Sequence, residues 1–244
     1  MPSFTDKLTV NGSEMDMYAA VPSGGAAPYP AVVIAFHVGG LDEFDKVMAD
    51  RLAEVGYVAV VPDLFHRYTE EQLNGPRLER LNYLNDPDII ADMNAAVDFL
   101  VADSHVDSDR IGVTGFCMGG RIAWMMAASN PIFKCTVPFY GGNIMGIWGN
   151  GAQTPFDMTS NINCPMLFHF GSIDVNPSLE DRDKLEAELN RLGKTFEFHT
   201  YEGANHAFMD FNNPDRHHPE AAAAAWPRTI EFFDKHLKPA TVAA

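Results

Sequence analysis

The chain is short of cysteine, of positive charge and of long apolar runs, and each shortage narrows what it can be. Three cysteines in 244 residues, at positions 117, 135 and 164, cannot all pair and have no metal-ligand spacing. Free thiols in a reducing compartment follow, so the sequence predicts a cytoplasmic protein without a metal site. Lys and Arg number 17 against 33 Asp and Glu, a formal net charge of −16, which argues against nucleic acid and anionic membrane as partners. No apolar run approaches the length that crosses a bilayer, and residues 1–17 lack the basic-then-apolar layout of a signal peptide. There is also no Pro/Ser/Gly-rich linker, internal repeat or low-complexity tract, so residues 1–244 are expected to form a single domain. Oligomeric state leaves no readable mark.

What the chain does have is a regular alternation of strand and helix patterns. Residues 7–10 and 14–20 flank Asn11-Gly12, a hairpin turn signal, and should form an antiparallel edge. Residues 31–36 are a continuous apolar run, as in a parallel strand covered on both faces, and end in His37-Val38-Gly39-Gly40. A helix over 47–54 stops at Gly56, and a strand over 57–61 follows. The polar stretch 68–85 suits a flap or short helices over a site. Asp86-Pro87 reads as an N-cap and first helical position, with Ile90, Met93, Val97 and Leu100 as the apolar stripe behind it. Strands are expected over 135–140, 165–170 and 196–201, with Cys135 and Cys164 as core residues. Residues 143–163 form a loop that could wall a pocket. Asn176-Pro177 reads as a second cap-plus-proline start, of a charged helix reaching Leu192. Trp226, Ile230, Phe233 and Leu237 mark the inward face of a last helix. The fold class is therefore α/β, a doubly wound, mostly parallel sheet with helices on both faces and its ligand site beyond the strands' carboxyl ends.

The chemistry centres on Ile111-Gly-Val-Thr-Gly115-Phe-Cys117-Met-Gly119-Gly-Arg121. An apolar strand runs through G-x-C-x-G into a helical pattern, the layout of a nucleophile elbow with Cys in the place usually held by Ser. The helix N-terminus favours thiolate over thiol, making Cys117 a candidate nucleophile. A thiol nucleophile needs a base, and the base needs an orienting group. Asp174 and His206 follow in the loops after two later strands, in the chain order of an α/β-hydrolase triad. The oxyanion would be held by the backbone N–H of Met118 and of Val38.

These residues resemble the dienelactone hydrolase family, also called carboxymethylenebutenolidases, of α/β-hydrolase fold. The resemblance runs through Pro62-Asp63-Leu64-Phe65, residues 107–112, Gly115-Phe116-Cys117-Met118-Gly119-Gly120, Phe139-Tyr140-Gly141-Gly142, Gly171-Ser172-Ile173-Asp174 and residues 201–208. It implies hydrolysis of an ester or lactone through a Cys117-Asp174-His206 triad and an acyl-thiolate intermediate, with no cofactor. Two departures stand out. His37 occupies the position at which members carry a Glu touching the resting thiol, and it could share a hydrogen bond with Cys117 or face the pocket. Members that hold a substrate carboxylate use arginines, one of them four residues after the catalytic histidine, where this chain has Asp210; Arg80 is the only match for another. The expected substrate is accordingly an uncharged ester or lactone, in a partly hydrophobic pocket lined by Phe36, Tyr140 and Trp148. A thioesterase or acyltransferase on the same triad, and a catalytically silent binding protein, are the alternatives.

Overall fold

The computed structural model describes residues 3–238. Eight strands form one sheet in the order β1-β2-β4-β3-β5-β6-β7-β8. β1 (Ser3–Val10) and β2 (Ser13–Ala20) make the antiparallel hairpin, turning at Asn11 and Gly12, both with positive φ. β2 joins the rest of the sheet antiparallel to β4 (Val58–Pro62). From there the pairing is parallel through β3 (Tyr29–Ala35), β5 (Val106–Phe116), β6 (Phe133–Phe139), β7 (Met166–Gly171) and β8 (Phe196–Tyr201). Every residue from Pro30 to Phe36 is buried, as a strand sandwiched between helix layers requires.

α1 (Glu43–Glu54) and α6 (Pro219–Leu237) meet where the Arg51 guanidinium stacks 4.4 Å from the Trp226 ring. α3 (Asp86–Ala102) packs against α4 (Met118–Ser129) and the central strands. α5 (Leu179–Arg191) adds Leu185 and Leu189 to a second apolar cluster with Trp124, Phe168 and Phe170. The two faces of the sheet are thus both covered, which is the α/β-hydrolase arrangement. No helix among the described residues is long and apolar enough to cross a membrane.

Several boundaries differ from the sequence expectation, each for a local reason. α1 starts at Glu43, because the Asp42 side chain caps it by accepting from the Phe44 amide at 2.9 Å. Asp86 does not cap α3; Asn85 holds the cap position, and the Asp86 carboxylate is drawn to Arg121 at 2.6 Å. Asn176 does not cap α5 either, since its side chain accepts from the Asn143 amide at 3.0 Å. Ser178 takes over, in a reciprocal capping box with Asp181. Ile90 and Ile230 are only partly buried; Ile89 and Phe232 point into the core beside the expected stripes. Residues 68–85 do fold into short helices, α2 (Glu70–Asn74) and a 3₁₀ segment (Arg77–Tyr83).

Candidate active site

The turn between β5 and α4 is held by close backbone contact. A Cβ on Gly115 would meet the Gly119 carbonyl oxygen at 2.1 Å, and one on Gly119 would meet the Ala35 oxygen at 1.9 Å. Small residues are obligatory here because α4 leans directly on β3. The geometry forces Cys117 to φ 58°, ψ −120°, a conformation that costs a non-glycine residue about 1–3 kcal/mol. The elbow lifts the side chain off the sheet at the N-terminus of α4, where first-turn amides such as that of Met118 have no acceptor within the helix.

Asp174 and His206 arrive from the ends of β7 and β8. Asp174 is buried; its Oδ1 accepts from the Asn176 amide at 2.8 Å and its Oδ2 lies 2.9 Å from His206 Nδ1. A carboxylate can only accept, so Nδ1 carries a proton, and the other ring nitrogen is not engaged by Asp174. The two loops are tied together by Gly203 N–H donating to Ser172 Oγ at 2.8 Å. Burial works against charge on His206, but the Cys117 thiolate and the Asp174 hydrogen bond outweigh it and push the imidazole up to about 10. Burial likewise resists ionisation of the Cys117 thiol, and the His206 charge, with the Met118 amide, brings it below its ordinary value. The two groups therefore favour each other as thiolate and imidazolium.

Cys117, Met118, Asp174 and His206 line one cavity of about 670 Å³, together with Leu78, Leu81, Asn82, Leu84, Gly142, Asn143, Ile147, Trp148, Gly149, Val175, Asn176 and Arg216. Trp148 is among these lining residues; Phe36, Tyr140, Arg80, Asp210, His37 and Val38 are not. Phe36 is wholly buried, its ring 4.8 Å from Phe65. Tyr140 is also buried, with its ring 5.2 Å from that of His206, so it backs the imidazole rather than facing substrate. Arg80 donates to the carbonyls of Val38 at 3.2 Å, Gly39 at 2.9 Å and Leu73, and is committed to those loops. Asp210 is buried and accepts from the Asn212 amide at 3.0 Å. His37 points its Nε2 at Asp42, 2.8 Å away, and stays outside the cavity lining. Val38 is half-buried beside it, at the loop after β3.

His37, Asp42 and Asp45 hold their ligand-type atoms within 4.8 Å of one another. Burial, with the charges of Asp42 and Asp210, holds the Asp45 carboxyl well above the ordinary carboxylate range, which favours its neutral form; neither oxygen has a hydrogen-bond partner, although Oδ2 lies 3.5 Å from His37 Nε2. His37 Nε2 lies 2.8 Å from Asp42 Oδ2, the closest contact within the cluster. Sequence reasoning missed Arg216 and the apolar residues of the 3₁₀ segment. Arg216 sits ten positions past His206, beyond the offset considered, and nothing in its local pattern marks it.

An elbow with a thiol at its tip and a carboxylate-bound imidazole on the same rim of a mostly parallel sheet define the class, an α/β-hydrolase. Within that class the chain belongs to the dienelactone hydrolase family, whose model matches residues 15–237. It is a hydrolase of carboxylic esters or lactones. A relative from Methylorubrum extorquens, named "Putative carboxymethylenebutenolidase", is 30% identical over 234 residues, covering 94% of this chain and 80% of its own length. A Bradyrhizobium protein named "Probable 2-oxo-3-(5-oxofuran-2-ylidene)propanoate lactonase" is 32% identical over 235 residues, covering 94% and 93%. Among solved structures, the "Putative Dienelactone Hydrolase" of Klebsiella pneumoniae superposes with a TM-score of 0.85 at 25% identity, over 96% of this chain and all of that one.

Proposed function

We propose that the protein cleaves an uncharged, largely apolar ester or lactone through Cys117, His206 and Asp174. The observation that carries this is the convergence of Cys117 and the His206–Asp174 pair, joined at 2.9 Å, on one cavity. The Cys117 thiolate attacks the carbonyl carbon, and the amides of Met118 and Val38 receive the developing oxyanion. The imidazolium of His206 protonates the departing alkoxide, leaving an acyl-thioester on Cys117. His206, now neutral and oriented by Asp174, takes a proton from water, whose oxygen displaces the thiolate and releases the acid.

Leu78, Leu81, Ile147, Trp148 and Val175 support an apolar substrate, and the engagement of Arg80 with backbone carbonyls removes one candidate for holding a carboxylate. Arg216, the one arginine or lysine among the residues lining the cavity, favours a second reading in which an anionic lactone is taken, as the name of the Bradyrhizobium relative describes for that protein. Hydrolysis of neutral p-nitrophenyl esters and of carboxylate-bearing lactones by purified enzyme separates the two. For either, Cys117→Ala should lower kcat/KM by about 10³-fold or more; unchanged hydrolysis would refute the role of Cys117.

A further inference from the structure

Arg121 lies one turn beyond Cys117 in α4 and is wholly buried, as is nearly all of Asp86 at the start of α3. The two form a bidentate pair, Nη1 donating to Oδ1 at 2.6 Å and Nη2 to Oδ2 at 3.0 Å. Two further donors of the guanidinium go to the loop after β6, Nε to the Asn143 carbonyl at 3.0 Å and Nη2 to that of Gly146 at 2.6 Å, while Nη1 also faces the Met125 sulfur at 3.9 Å. Its flat face stacks 3.7 Å from the Trp148 ring. Asp86 holds the same loop from the other side, accepting from the Trp148 amide and donating its own amide to the Trp148 carbonyl, both at 3.0 Å. Asn85 adds a bond from the Asn150 amide at 2.8 Å. Removing two charges from water is a poor route to stability, because desolvation offsets the attraction. Geometric definition is what such a pair supplies, and here the bonds it makes beyond α3 and α4 converge on one loop.

That loop presents Asn143, Ile147, Trp148 and Gly149 to the catalytic cavity. We propose that the Arg121–Asp86 pair is a positioning device that fixes this wall and thereby sets which acyl groups the site admits. The proposal rests on the cavity being the ester site. Lysine at 121 would keep the charge but could not form the planar fork that reaches a carboxylate, two carbonyls and an indole face together.

The test compares wild type with Asp86→Asn, which keeps shape and removes the charge, and with Arg121→Lys. Hydrogen exchange of residues 143–151, KM and kcat for p-nitrophenyl acetate and octanoate, and the rate of Cys117 alkylation by iodoacetamide are measured. Exchange in 143–151 should quicken about tenfold or more, the octanoate-to-acetate ratio of kcat/KM should shift about tenfold through KM, and alkylation should stay within about twofold. Arg121→Lys, which loses the fork, should show the same pattern. An unchanged ester ratio, or exchange that quickens evenly along the chain, would overturn the proposal. Exchange needs no substrate, so it judges the clamp even if wild-type enzyme hydrolyses neither ester, an outcome that would defeat the functional reading instead.

Discussion

Gly119→Ala is the smallest change that should damage the site, and its size can be worked out in advance. A methyl group there would sit 1.9 Å from the Ala35 oxygen, 2.6 Å from the Ala35 carbonyl carbon and 2.8 Å from the Phe36 oxygen. All three are backbone atoms of β3 and the residue following it, so none can swing aside. Alanine gains up to about 1 kcal/mol of helix propensity over glycine, whereas overpacking of this kind costs about 1–3 kcal/mol and occasionally more. The clash should win, leaving a net loss of about 1–2 kcal/mol, or roughly 2–8 °C in Tm at about 2–4 °C per kcal/mol for a chain of this length. Activity should fall further than stability. Relief requires the end of β3 to move by about an ångström, carrying the Val38 amide with it, and a misplacement of that size can cost about 10²-fold in rate. Gly24→Ala is the control, since a Cβ there meets nothing within 4 Å. Urea unfolding and ester hydrolysis on both variants decide the matter. A Gly119→Ala protein as stable and active as Gly24→Ala would refute the argument from close backbone approach.

Two predictions concern protonation. Iodoacetamide should alkylate Cys117 at a rate that levels off below the pH expected of an ordinary thiol, because the His206 charge lowers it against the effect of burial; in His206→Gln the plateau should move to higher pH, and an unmoved profile would break the proposed coupling. Asp45 is held neutral by burial, so the folded state binds a proton that the unfolded chain releases once pH exceeds the ordinary carboxylate range. Stability lost this way grows as pH rises, and Asp45→Asn should raise stability by about 1–3 kcal/mol at pH 8, and by less at pH 4. Equal effects at the two pH values in thermal melts would contradict that account.

The elbow was legible because its constraint is on the backbone, and backbone constraints are written as glycines: positions 115, 119 and 120 each face a carbonyl or an α-carbon closer than 3.0 Å. Strands β3 and β5 through β8 were legible as well, being buried on both faces or alternating cleanly. Helix starts were less so, because a capping residue is chosen by competition. Asp86 and Asn176 have the right chemistry to cap, but tertiary partners, Arg121 and the Asn143 amide, take their side chains first. The same limit applies to the pocket. Phe36, Arg80 and Asp210 sit near the site along the chain, yet side-chain direction is set by what packs against them, and for all three it is the protein's own interior or backbone. Leu78 reaches the cavity from the stretch 68–85, which reads as a cover over a site without marking which side chain faces it, and Arg216 from a segment with no local signature of a site.

The central claim is that the acyl group passes through the sulfur of Cys117. Acid-quenched reaction of the enzyme with p-nitrophenyl acetate, followed by intact-mass and peptide mass spectrometry, tests it directly. The account predicts a gain of one acetyl group on the peptide containing Cys117, absent in Cys117→Ala and longer-lived in His206→Asn. Acetyl found elsewhere, or steady turnover in Cys117→Ala with no adduct at all, would contradict it.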